Sequence, residues 1–351
     1  MNITFLVGNG FDIRVGMKSS YRDFYNWYIK QPSSLPYIEQ MKKDIENDLK
    51  TGSENWSDFE RGLGKFTEHF KKETVDAFFL CYDDAQLKLL EYLSKETKRF
   101  VSSLSAETVD MFRQGITAYQ SELSPKEKQV LQSIYPDKGN YDVNVRFLSF
   151  NYTHWLDAFV KEASKTPLRT WAYSGNQRKM VLSPSVIHIH GTLDHLPVFG
   201  VNDETQIANK ELLESSILKS ILVKQNNIRD NGELWHEEAE QAIKNSNIIC
   251  VFGMSMGITD SIWFERVMDW LKASGDRHVI LFWHTSDPSN LQSSLKRATN
   301  REKAKKGLTD YSGLPNNAIE AINERIHVVE NSKVLFDVKL EEQAVATSIG
   351  A

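Results

Sequence analysis

The short apolar runs of this chain constrain its fold more than any other feature. Residues 2–7 include Ile3, Phe5, Leu6 and Val7 with little polar alternation, and they stop at Gly8-Asn9-Gly10. A strand of this composition buries both faces, as strands do in parallel sheets covered by helices on either side. Val143–Phe150, Val186–His190, Asn247–Phe252, His278–Trp283 and Arg325–Val329 read in the same way, and Val198–Val201 reads as a further short strand. Helical spacing follows two of these runs, over His154–Ser164 and Asp260–Ala273. Strands alternating with helices predict an α/β protein built on a doubly wound parallel sheet.

One stretch breaks the alternation. Ser19 or Ser20 can cap a helix over Tyr21–Gln31, whose aromatics Tyr21, Phe24, Tyr25 and Tyr28 recur at helical spacing. Tyr37–Leu49, Trp56–Phe70, Glu73–Leu93 and Ala106–Leu123 read as amphipathic helices, and Ser124-Pro125 as the cap and first residue of another. The expected organisation is a Rossmann-like nucleotide-binding core at 1–19 and 141–335, a large helical insertion after the first strand at 20–140, and a C-terminal tail at 336–351, frayed beyond Glu341. An insertion of that length usually forms a lid or an interaction surface.

Composition narrows the function. With 40% apolar and 25% charged residues over 351 positions, the chain can bury a core without disulfides or metals. A net charge of −5 provides no global basic field to draw it onto nucleic acid or anionic lipid. The basic stretch Lys296–Lys306 reads as a solvated helix face or loop. The two cysteines, Cys81 and Cys250, lie far apart in unrelated apolar contexts, which predicts reduced thiols rather than a disulfide frame. No basic stretch leads into a long apolar run at the start, and nowhere do about 18 uncharged apolar residues run together. A cytoplasmic location and no membrane contact are expected.

Four strand ends carry residues suited to chemistry. Gly8-Asn9-Gly10-Phe11-Asp12 fits either a tight turn or a phosphate cradle, since glycines let backbone N–H groups approach an anion. In Ser149-Phe150-Asn151-Tyr152-Thr153, Asn151 fits a helix cap or Asx turn, or an amide that holds a water or a ribose hydroxyl. In Ile187-His188-Ile189-His190-Gly191, alternation puts both histidines on one face, and histidine suits proton transfer near neutrality. The rival reading has His188 and His190 sharing an ion with Asp194; no helical His-x-x-x-His or cysteine ligand supports it, so no metal ligand is expected. Gly253-Met254-Ser255-Met256-Gly257, followed by Asp260, fits a phosphate- or ribose-binding turn, with Asp260 either on sugar hydroxyls or capping the next helix. Glycines, an Asn, a His and a Ser at four strand ends together suit a nucleotide site.

The order of these motifs, together with Tyr21-Arg22-Asp23-Phe24 and Trp56-Ser57-Asp58-Phe59-Glu60, resembles the AbiH family of phage abortive-infection proteins from about residue 3 to 270. AbiH proteins in turn look like distant relatives of the sirtuin NAD-binding fold. That resemblance implies an antiphage effector in which Gly8 and Gly10 cradle the NAD phosphates, with Asn9 and Asp12 in the same motif. Asn151 would lie by the nicotinamide ribose, His190 would serve as base, and Gly253 and Ser255 would bind the adenosine side. The chain departs from the sirtuins in lacking paired cysteines for a zinc module and in replacing Gly-Ala-Gly-x-Ser by Gly-Asn-Gly-Phe-Asp. Those departures speak against protein deacylation and leave NAD cleavage open, as in related defence proteins with a sirtuin-like domain.

The expected activity is hydrolysis of the nicotinamide–ribose bond, with Asn151 and His190 catalytic, NAD as substrate and no prosthetic group. Expected partners are NAD or a related nucleotide, a phage-derived trigger and further copies of the chain. The alternatives are a nucleotide-binding sensor acting through a partner and a metal-dependent nucleic-acid enzyme.

Overall fold

Parallel pairing is what the apolar runs produce. The computed structural model describes residues 1–52, 56–135, 141–173, 176–289 and 293–343. Its strands are β1 (Asn2–Val7), β2 (Val143–Ser149), β3 (Arg169–Tyr173), β4 (Asn176–His188), β5 (Ile248–Phe252), β6 (His278–Trp283) and β7 (Ile326–Glu330), in one seven-stranded sheet of order β3-β4-β2-β1-β5-β6-β7. Every pairing is parallel except β3 with β4.

Helices cover both faces. Their bounds are α1 (Gly10–Val15), α2 (Tyr21–Tyr28), α3 (Pro36–Thr51), α4 (Phe59–Phe66), α5 (Val75–Thr97), α6 (Ala106–Thr117), α7 (Pro125–Ser133), α8 (Trp155–Ala163), α9 (Ser216–Leu222), α10 (Lys224–Asp230), α11 (Trp235–Lys244), α12 (Ser261–Lys272), α13 (Ser294–Thr309) and α14 (Asn316–Asn323). Phe5, Val7, Phe147, Cys250 and Phe252 point to one face, beneath α1, α6 and α8. Leu6, Leu148, Ile249 and Val251 point to the other, beneath α11, α12 and α13. The alternation of side chains along each strand thus divides apolar residues between two cores. Among the described residues no helix is long and apolar enough to cross a membrane.

The helical block from 20 to 140 divides as well. Helices α2 to α5 build a third core around Phe24, Tyr28, Phe59 and Phe78, which also takes in Phe199, Val201 and Leu222 from beyond β4. Phe112, Ile116 and Leu131, by contrast, pack onto the sheet. The expected caps are in place: Ser20 Oγ accepts from Asp23 N at 3.1 Å, and Ser124 forms a reciprocal box with Glu127.

Three local expectations are corrected. The strand expected at Val186–His190 is the end of a much longer β4, whose polar half pairs with β3; an edge strand facing solvent has no need of apolar residues. Pro184 sits where the register with β2 shifts between Val145 and Phe147, a place where a missing N–H does no harm. Val198–Val201 forms only a single bridge, Val201 to Val223, because Gly200 turns away at φ 145°. The segment read as a tail from 336 enters the core: Phe336 is fully buried, with ring centroids 4.9 Å from Phe252 and 5.2 Å from Phe11. The frayed end expected beyond Glu341 lies mostly outside the described residues, although Glu342 bridges to Phe100 and Gln343 N donates to Arg99 O. Both cysteines are buried and free.

Candidate functional site

Register brings the four motifs together. Val7 stands opposite Ser149 on one side and Phe252 on the other, and Ser149 stands opposite His188. The chain therefore leaves β1, β2, β4 and β5 at one level, on one edge of the sheet. Because β2 and β5 flank β1 on opposite sides, the order of strands reverses there, and such reversals open a crevice beyond the carboxyl ends of the strands. A cavity of about 750 Å³ occupies this place, within the roughly 300–1,000 Å³ of ligand clefts. Its lining includes residues of all four motifs: Gly8, Asn9, Gly10 and Asp12; Asn151; His190; Gly253, Ser255 and Asp260; His188 of the third motif is not among them.

The glycines of the first motif form the tight turn that was one of its two readings. Gly8 N donates to Phe252 O and Gly10 N to Gly253 O, both at 2.9 Å, so these amides are committed within the chain rather than turned to an anion. A Cβ on Gly10 would lie 2.4 Å from Gly253 Cα, and Gly253 itself holds φ 68°. Close backbone approach between two turns is therefore what requires glycine here. Asn9 is committed too: its amide donates to Ser19 O at 2.8 Å and its carbonyl accepts from Ser19 Oγ at 2.6 Å. Ser255 stands exposed in the lining.

Asp12 and Asn151 behave differently. Asp12 Oδ2 accepts from Thr153 Oγ1 at 2.7 Å, while buried Oδ1 has no hydrogen-bond partner among the described residues. Both side-chain polar atoms of Asn151 are equally buried and, among the described residues, unpartnered, so this residue neither caps α8 nor closes an Asx turn. Burial pushes the Asp12 carboxyl up to about 7, against the Thr153 hydroxyl, the nearby Asn151 amide and His188, which favour its charged form. The Asn151 amide thus stands near enough to influence the carboxyl without a well-formed bond to it. Unpaired buried polar groups cost stability, and native folds keep few of them.

A paired network also borders the cavity, through His190, Asp260 and Glu60 of the lining. His190 Nε2 lies 3.1 Å from Asp260 Oδ1, and Lys224 Nζ lies 2.8 Å from the same atom and 2.7 Å from Glu60 Oε2. Asp260 makes no capping bond to α12, so the capping alternative does not hold. Burial pushes Glu60 up to about 8, with Lys224 only partly offsetting it. Burial alone would also raise Asp260, but Lys224 and His190 hold it well below the carboxylate range. One ammonium supports one buried carboxylate, and Asp260 keeps the charge. Burial and the adjacent Lys224 lower His190, against Asp260 and the Phe150 carbonyl, which favour its charged form.

Among the described residues, the group with the spacing for an ion contains His188 but neither His190 nor Asp194. His188 faces Asp157 and the Asn151 carbonyl, in a network separate from that of His190. Glu60 and Lys224 were missed as site residues. Glu60 lies within the Trp56–Glu60 motif, where a first-turn acid reads as helix-dipole compensation, and Lys224 carries no local signal.

Comparison with known proteins agrees with the order of motifs. A family model described as bacteriophage abortive infection AbiH matches residues 4–282. No curated protein matches the chain.

Proposed function

The chain belongs to the bacteriophage abortive infection AbiH family, and from that premise we propose that it binds NAD in this cavity and hydrolyses the nicotinamide–ribose bond. What supports this reading most directly is the pair Asp12 and Asn151, buried in the lining with open polar atoms. Counted in chain order, the parallel strands run 3-2-1-4-5-6, the order of doubly wound dinucleotide-binding sheets, which supports a sirtuin-like arrangement.

In the proposed reaction water attacks C1′ of the nicotinamide ribose as the C1′–N bond breaks. Nicotinamide leaves with the bonding electrons as a neutral molecule, and the water proton passes to the Asp12 carboxylate. A carboxyl poised near pH 7 is matched to that task. Asn151 holds the water and a ribose hydroxyl, spending hydrogen bonds that the fold leaves free. His190, paired with Asp260, borders the ribose from the lining, and Lys224 ties Asp260 to Glu60.

Nicotinamide released from NAD by the pure protein tests the proposal. Asp12→Asn and Asn151→Ala are each expected to reduce release about 10²–10⁴-fold. A parent protein that binds NAD without releasing nicotinamide overturns hydrolysis and leaves a nucleotide-binding sensor.

A further inference from the structure

A second cluster of side chains lies behind Asn151, outside the cavity lining. His188 ends β4, and His154 and Asp157 begin α8. His188 Nε2 lies 2.8 Å from Asp157 Oδ2, and His154 Nδ1 lies 3.8 Å from that same oxygen. One ligand atom from each of the three residues falls within 4.8 Å of those of the other two. We propose that His154, Asp157 and His188 bind one divalent first-row transition-metal ion, with zinc the best suited. This inference does not rest on the hydrolysis reading.

The outward halves of the two rings make the case. His188 Nδ1 faces the Asn151 carbonyl at 3.0 Å, and His154 Nε2 faces Asp194 Oδ1 at 2.6 Å. Asp194 Oδ1 in turn accepts from Thr192 Oγ1 at 3.1 Å. Each imidazole therefore turns one nitrogen to an acceptor outside the cluster and the other toward a single carboxylate oxygen. Metal-bound histidines are held in this way, with the far N–H donated to a carboxylate or a backbone carbonyl. Two imidazole nitrogens and a carboxylate form a donor set suited to zinc and its neighbours rather than to magnesium or calcium. His154 is half-exposed, so the site opens to solvent on one side and leaves coordination positions for water. The ion would tie the start of α8 to the end of β4 and, through His188, hold the backbone carbonyl of Asn151.

Isothermal titration of the metal-stripped full chain with zinc chloride, with cobalt absorption as a second readout, tests the site. The expected result is one zinc per chain and visible cobalt bands. His154→Ala should weaken zinc by at least about 100-fold, and Asp194→Asn by about 10–100-fold as an outer partner. Both substitutions lie at exposed or half-exposed positions, and circular dichroism checks their folding. His69→Ala, which removes another exposed His–Asp pair, should leave binding unchanged. Absence of stoichiometric zinc in the parent, unchanged affinity in His154→Ala, or loss of binding in His69→Ala overturns the proposal.

Discussion

Two sets of buried acids face the same cavity and differ in what they have left to give. Around Lys224 the carboxyls of Glu60 and Asp260 are tied to an ammonium, and Asp260 is tied to His190 as well. Around Asp12 one carboxyl oxygen and a whole carboxamide stand without partners among the described residues. The first set has spent its hydrogen bonds on the fold; the second has kept them. A fold that carries unpaired buried groups bears a cost that a ligand can recover. On this comparison the Lys224 wall provides rigidity and the Asp12 wall provides chemistry.

Lys224→Met breaks the comparison most severely. It strands the Asp260 charge in a buried site, and denaturant unfolding should show a loss of about 3–5 kcal/mol. If Lys224→Met melts like the parent, the network is not structural.

The next effect is in pH. Asp12 titrates near 7 in the fold and near 3.8 when unfolded, so the folded chain binds its proton more tightly. The stability this provides is complete below about pH 4 and is lost as pH rises through 7, a change on the order of a few kcal/mol. Glu60 shifts in the same direction, so the parent is compared with Asp12→Asn: the slope of stability against pH between 4 and 7 should flatten in the variant. Equal slopes would remove Asp12 as a buried titrating group. Smallest is the effect of Asn151→Ala on stability, expected within about 1 kcal/mol because no bond is lost, even as nicotinamide release collapses. A stability loss as large as that of Lys224→Met would place Asn151 with the rigid wall.

Much of the sheet was legible because apolar strands buried on both faces leave a strong signature: β1, β5 and β6 fall within a residue of their expected bounds. The motifs at their ends were legible as well, and register explains why they meet. Polar segments were not. The β3–β4 hairpin is polar because it edges the sheet, and Lys224 is an ordinary lysine until α10 carries it beneath α4 and α12. Glu60 stood in a recognised motif, but its first-turn position offered a simpler account. Phe336 was read past because a lone aromatic near the end of a chain has no periodicity to lean on.

The contact of Gly10 with Gly253 has a mechanical consequence. Main chain pressed on main chain has no rotamer to change, so this jaw of the cleft cannot yield. Adjustment of the cleft to a dinucleotide therefore falls to side chains that keep their rotameric freedom, such as the exposed Ser255 of the same lining.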